Sequence, residues 1–321
     1  MEKMVNTVLG PVSTAKLGVT LIHEHLKVAY LGWDMDPFNT FDRASALRKA
    51  VENMKEIKEL GVSTIVDPLP MGLGRDPEFD AEVSQKSGVQ VIISTGIDLE
   101  GRAMPPYFTQ RSTNEIAAVY VSDLTRGIGD TGVKAGIIKG ATSQGQITAN
   151  EQRALRAAAR ASLETGAPIV THTSRATMGP EQADIFLSEG LSPKKFMIGH
   201  CCHSTEFTYL KTVLDKGSYM GFDQIGLTYA HPDEDRLFML TGLLSLGYAG
   251  RLLLSQDHFC CIVGADPKRL THMATIFEKN RHSVLFREFL PRLRKAGVSE
   301  QTITQMLVTN PRDLFEAPAK A

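Results

Sequence analysis

The chain has 321 residues and a mass of 35.1 kDa, with 42% hydrophobic and 22% charged residues, enough apolar material for a sizeable core. Thirty-five basic residues against 36 acidic ones give a formal charge of -1, which removes a charge-driven nucleic-acid partner. No apolar run reaches the length of a membrane-spanning helix and the N-terminal residues lack the order of a signal peptide, so a cytoplasmic protein with no membrane partner is expected.

From Val19 onward, short β-rich runs alternate with longer segments of helical spacing. The first run is Val19–Ile22, followed by a helix over Ala44–Leu60 that stops at Gly61. Thr64–Val66, Val89–Thr95 and Ala135–Ile138 come next, each after a helical stretch or a glycine stop. The helix Asn150–Thr165 precedes Pro168–Thr171, and Glu181–Glu189 precedes Lys195–Ile198. Thr205–Lys216 leads to Tyr219–Phe222, and Asp233–Gly247 leads to Arg251–Leu254. Runs of four to six apolar residues with little alternation fit parallel strands buried on both faces. Eight such units predict a (β/α)₈ TIM barrel rather than an open doubly wound sheet, and no Gly-x-Gly-x-x-Gly turn follows the first strand. With no linker or repeat, residues 1–321 are read as one domain, and residues 1–18, turning at Gly10-Pro11, as a hairpin under the barrel. The adjacent cysteine pairs Cys201-Cys202 and Cys260-Cys261 are not a disulfide framework and read as small buried residues.

The polar residues at the C-terminal ends of these strands carry the functional signal. The first strand ends in His23 and His25, whose i, i+2 spacing puts both imidazoles on one face with Glu24 directed away. The fourth ends in Lys139, the fifth in His172, the sixth in His200 and the eighth in Asp257. Each alone has an ordinary explanation: a hydrogen-bonded core histidine, or an aspartate capping a helix. Together, at the end where barrel enzymes build their sites, they form a set of metal donors. Lysine fits that set once its amine has reacted with CO₂, because the carbamate is an anionic oxygen ligand. Such a ligand can bridge two divalent ions, with zinc the default and cobalt, manganese or iron accepted by the same imidazole and carboxylate chemistry.

These residues resemble the binuclear centre of the phosphotriesterase family in the amidohydrolase superfamily, most closely its phosphotriesterase-like lactonases. Flanking stretches agree: Thr7-Val8-Leu9-Gly10-Pro11-Val12, Gly18 to Leu26, Ala135 to Lys139, Asp257 to Cys261 and Thr309-Asn310-Pro311-Arg312. The resemblance implies that His23, His25, Lys139 and Asp257 hold a buried metal and that Lys139, His172 and His200 hold an exposed one. Carboxylated Lys139 and a hydroxide would bridge the pair, and Asp257 would take the proton from the attacking hydroxide. It further implies a homodimer that cleaves a small ester, most simply a lactone or other carboxylic ester, with organophosphate triesters as a side activity. The alternatives are a true phosphotriesterase and, in a different class, an inactive barrel that serves as a binding protein.

The substrate shell departs from the family pattern. Gln224 stands where an Arg or His is usual after the seventh strand, and His203 where an Asp is usual after His200. Gly96-Ile97-Asp98-Leu99-Glu100 lacks the usual Tyr after strand three. Asp98 and Glu100 read as a solvated loop that, if it faced the pocket, would disfavour anionic substrates. His203 is given a catalytic role, accepting the proton from Asp257, against the alternative of a structural role beside a helix capped by Ser204 and Thr205. Trp33 and Phe259 are candidate walls of the substrate mouth, with a long loop from Phe259 to about Leu285 as a lid.

Overall fold

The computed structural model describes residues 2–38, 41–228, 231–264 and 281–320. The chain opens with the antiparallel hairpin β1 (Met4–Thr7) and β2 (Gly10–Ser13). Eight parallel strands then form one sheet: β3 (Val19–Leu21), β5 (Val62–Asp67), β6 (Gln90–Gly96), β7 (Ile137–Thr142), β8 (Ile169–Thr173), β9 (Phe196–Ile198), β10 (Tyr219–Phe222) and β11 (Leu252–Leu254). Each pairs with the next in sequence, which is the order of a (β/α)₈ barrel. Two expected strands are longer than the apolar runs suggested. β5 continues to Asp67 and β7 through Lys139 to Thr142, so both residues belong to strands rather than to the turns after them.

The barrel closes at its C-terminal end. Asp257 N–H donates to His23 O (3.0 Å), and His25 N–H donates to His258 O (2.8 Å). Beyond these contacts β4 (His25–Ala29) pairs in parallel with β12 (Phe259–Val263). The first part of the expected lid is therefore a strand, and residues 265–280 of it lie outside the described residues.

Below the site the interior is an apolar plug. Ile22, Val66, Ile92, Ile137, Val170, Met197, Tyr219 and Leu253 supply one buried side chain per barrel strand or its end. Val5 of the hairpin and Leu314 and Phe315 of the helix Asn310–Glu316 seal it from underneath. Lys195 Nζ is buried and donates to Phe315 O (2.8 Å), tying that helix to β9. A larger cluster fills the space between strands and helices, and it includes Cys201, Cys202 and Cys260 as free thiols. The helices follow local chemistry. Thr148 and Glu151 form a capping box that starts Ala149–Thr165, and Gly166 ends it in a left-handed conformation. Among the described residues, no helix is long and apolar enough to cross a membrane.

Candidate metal centre

Five of the six expected donors meet at the C-terminal face, at or beside the seam. Lys139 Nζ lies 3.3 Å from His23 Nε2. Asp257 Oδ1 lies 3.2 Å from His25 Nε2 and 3.7 Å from His23 Nε2, and its Oδ2 lies 3.7 Å from His200 Nε2. All five side chains are buried. His172 is half-buried, its ring centroid 4.6 Å from that of His200, and its Nε2 is 3.2 Å from Ser174 Oγ. His23, His200 and Asp257 each bring one donor atom within 4.8 Å of the others, close enough for a single cation.

The imidazoles are aimed by carboxylates behind them. Asp223, at the end of β10, is fully buried and lies between His23 Nδ1 (3.0 Å to Oδ2) and His200 Nδ1 (3.2 Å to Oδ1). It also accepts the His200 N–H (2.8 Å). Asp67, at the end of β5, takes His25 Nδ1 at 2.7 Å and the Leu26 N–H at 3.0 Å. With Nδ1 engaged in all three, Nε2 is left to face the centre, which is the usual support for metal-bound histidine. Room for Asp223 depends on glycine. A Cβ at Gly199 would stand 2.0 Å from Thr171 O, and one at Gly221 only 2.7 Å from Asp223 Oδ2.

His23 and Glu24 lie in the bend between β3 and β4 rather than on the expected strand, and Glu24, though turned from the donors, is not idle. Its Oε1 accepts from Ser255 Oγ (2.7 Å) and the Gln256 N–H (2.8 Å), and its Oε2 from the His258 N–H (3.2 Å). These two amides flank Asp257, whose backbone is left-handed (φ 52). His200 (φ 58), Arg175, Ala176 and Met178 complete the non-glycine residues with positive φ among those described, and all five lie in turns after β8, β9 or β11. Strain concentrated this way is held in place by surrounding contacts.

The electrostatics are those of a balanced cluster. Burial alone would raise Asp257 and Asp223, yet the facing histidines hold both carboxyls well below the ordinary range. Burial and the Lys139 charge push His23 down to about 3. For His25 burial is overcome by Asp67 and Asp257, which raise it to about 9. Burial lowers Lys139 to about 8 against the pull of Asp257, Asp223 and Asp98, so its neutral amine is accessible near neutral pH.

The expected substrate shell is rearranged. Asp98 is not in a solvated loop: it is buried and bound at both oxygens by Arg102, through Nε (2.5 Å) and Nη2 (2.6 Å). Glu100 turns instead to Thr148 Oγ1 and Asn150 Nδ2, at 2.6 Å each. Gln224 lies against the donors themselves, its Nε2 donating to Asp257 Oδ2 at 2.7 Å. His203 shows no described contact with Asp257. Its Nε2 is buried without a hydrogen-bond partner among the described residues, and burial beside His200 and Arg236 lowers it to about 4. The helix after it begins at Phe207, and Ser204 Oγ accepts only the Glu206 N–H (3.0 Å), so neither Ser204 nor Thr205 is its cap. Phe259 stacks on His25 (5.6 Å, 21°) as a wall of the site. Trp33 packs edge-on against Phe41 (5.7 Å) in the loop beyond β4.

A nearly closed parallel barrel that gathers imidazole, carboxylate and amine groups at its C-terminal face is the architecture of a (β/α)₈ enzyme with a candidate metal site. The chain belongs to the phosphotriesterase family, whose sequence profile matches residues 3–315. It is 36% identical to a phosphotriesterase homology protein of Mycobacterium tuberculosis, over 97% of each chain. It is 33% identical to an aryldialkylphosphatase of Saccharolobus solfataricus, over 95% of this chain and 96% of the relative. A crystallised variant of a PTE-like lactonase from Deinococcus radiodurans superposes with a TM-score of 0.92 at 38% identity, covering 97% of this chain and 99% of that one.

Proposed function

We propose that this chain, as one catalytic domain over residues 1–321, is a metal-dependent hydrolase of a lactone or other carboxylic ester, with phosphotriesters as weaker substrates. The observation that carries the reading is the convergence of His23, His25, Lys139, His200 and Asp257, each histidine aimed by a buried carboxylate. The donor set fits two divalent ions, zinc by default and cobalt, manganese or iron as alternatives. His23, His25, Lys139 and Asp257 would hold one, and Lys139, His172 and His200 the other. The lowered basicity of Lys139 supports its conversion by CO₂ to a carbamate, since the free amine is the form that reacts. When bound, the ions supply Lewis acidity and an activated water.

The chain's own groups do the rest. Asp223 and Asp67 fix the imidazole tautomers, and Asp257 receives the proton released from water. Gln224 holds Asp257 Oδ2 in one orientation through its amide N–H. Phe259 shields His25 from solvent on one side. His203 is the less favoured carrier of the proton onward, because burial has made it a weak base and Gln224 occupies the neighbouring oxygen of Asp257. His203→Asn at full metal content checks this: a changed kcat and pH profile would restore His203 to the relay. A lactone is favoured over a phosphotriester because Gln224 and His203 replace the residues that the phosphotriesterases carry.

The decisive experiment joins elemental analysis to a substrate screen. Two divalent ions per chain, dependent on bicarbonate during reconstitution, and turnover of lactones or aryl carboxylates above paraoxon are expected. Metal well below two per chain without rescue would favour a binding protein, and paraoxon turnover above every carboxylic ester would favour a phosphotriesterase. The same reading includes a cytoplasmic homodimer, which sedimentation at micromolar concentration tests.

A further inference from the structure

The loop after β6 carries a cation that the site chemistry above does not use. β6 ends with Gly96 paired to Lys139, and a Cβ there would stand 2.2 Å from Lys139 O, so the loop leaves the sheet directly beside a donor. Two residues on, Asp98 is fully buried and takes the Nε/Nη2 edge of Arg102 with both oxygens. The loop is fastened by the Glu100 N–H to Glu151 Oε1 (3.1 Å) and by the Arg102 and Ala103 N–H groups to Leu99 O (3.2 and 3.3 Å). The guanidinium is thus pre-positioned, with 34% of the side chain exposed. Its Nη1 has no hydrogen-bond partner among the described residues. Neighbouring cations are engaged: Arg75 with Ser94 O and Asp123, and Lys27 with Asp76. The Arg102 charge acts on His172 and Lys139, and those of Asp257 and Tyr30 act on Arg102, in keeping with the exit of the loop beside Lys139.

A guanidinium has two edges that match a carboxylate bidentately. Asp98 occupies one, and the Nη1/Nη2 edge remains for a ligand. We propose that Arg102 is a specificity-determining residue whose free edge binds a carboxylate on the substrate, remote from the scissile bond, so that the preferred substrates are esters bearing a second, anionic group. Asp98 is what holds the fork still. The two acidic residues of this loop therefore do not repel anions: one is paired within the fork and the other is turned to Thr148 and Asn150. The inference rests on the hydrolase reading for its substrate class, but the recognition of a remote carboxylate is separable from turnover.

The test compares an aryl hemiglutarate with the aryl valerate of similar length, and, without chemistry, glutarate with butyrate binding by calorimetry to metal-loaded protein. The wild type is expected to favour the hemiglutarate in kcat/KM and to bind glutarate more tightly than butyrate. In Arg102→Gln each preference is expected to fall by roughly 10-fold or more, the order seen when a charge-assisted pair is lost. Arg102→Gln strands the buried Asp98, so the double variant Asp98→Asn with Arg102→Gln is measured beside it, with folding verified by thermal unfolding. Preferences that survive in both variants, or a wild type that prefers valerate and binds butyrate as well as glutarate, overturn the proposal. Glutarate selectivity that depends on Arg102 without turnover of either ester sustains the proposal and removes the hydrolase reading. Turnover of both esters with no carboxylate preference does the reverse.

Discussion

Glu24 gives the sharpest prediction, because it ligates nothing in the proposed reading and yet should control the site. Its carboxylate is the acceptor for the main-chain N–H groups of Gln256 and His258, and for the Ser255 hydroxyl. In Glu24→Ala the hydroxyl keeps His23 O as a partner at 3.0 Å, but the main-chain N–H groups of Gln256 and His258 both lose their carboxylate acceptor. An unsatisfied buried group costs about 1–3 kcal/mol, so the two together cost about 2–6 kcal/mol. That is a large share of the ~5–15 kcal/mol that keeps a domain folded. At roughly 2 °C per kcal/mol for a chain of this size, thermal unfolding should fall by about 4–12 °C. The left-handed backbone of Asp257 loses the contacts that hold it, so metal affinity should fall along with stability. Glu24→Gln keeps one acceptor oxygen and should lie between. Thermal unfolding of chelator-treated protein and metal titration against a fluorescent chelator read the two effects separately. An alanine variant that melts within 2 °C of wild type, roughly 1 kcal/mol on that scale, and binds metal equally well would refute the pinning argument.

Asp223→Asn should lower metal affinity by roughly 10- to 100-fold with the fold retained, because one carboxylate orients both His23 and His200; chelator competition measures it. Gln224→Ala releases Asp257 Oδ2 and should reduce kcat/KM by about 10-fold, equivalent to about 1.4 kcal/mol, at unchanged metal content in steady-state kinetics. Gly199→Ala should fail to accumulate as folded protein, since the new methyl meets the Thr171 carbonyl oxygen at 2.0 Å; soluble yield and circular dichroism report it. Lys195 is lowered from 10.5 to about 7, by burial and by the Lys3 charge, so the unfolded chain binds the extra proton between these values. Its contribution to stability is therefore full above about pH 10.5 and is lost as pH falls to about 7, and Lys195→Met should flatten that part of the pH–stability curve measured in urea.

The barrel was legible because parallel strands buried on both faces leave unbroken apolar runs, and because each run is followed by a helical segment or a glycine stop. The donors were legible because they stand at the ends of those runs. Asp67 and Asp223 stand there too, but the sequence does not single them out, for two different reasons. The apolar run Thr64–Val66 ends one residue before Asp67, which still belongs to the strand, and Asp223 directly follows the run Tyr219–Phe222 with nothing in its neighbours to mark it as an orienting carboxylate. Gly199 and Gly221, both crowded against Asp223, were the available signal for a buried carboxylate. Asp98 reads as solvated in the sequence because its partner Arg102 is four residues away across an irregular loop, where no periodicity relates the two. The substitution of Gln224 was visible, but its hydrogen bond to Asp257 depends on how β10 and β11 lie side by side, which composition does not encode.

The seam of the barrel runs through the site, since His23 and Ser255, 232 residues apart, meet there. During synthesis His23, His25, Lys139, His172 and His200 all leave the ribosome before Asp257, so the nascent chain holds an open cylinder with an incomplete donor set. Joining such distant ends carries a closure entropy that grows only slowly with length, and clips that close the longest loops gain the most stabilisation. A cation held as proposed between His23 and Asp257 would be such a clip, equivalent to a reversible weld between the first and last staves. Chelation should then loosen the molecule along one line, and amide exchange should rise first in residues 23–29 and 255–263 while the opposite wall, β7 and β8, stays protected.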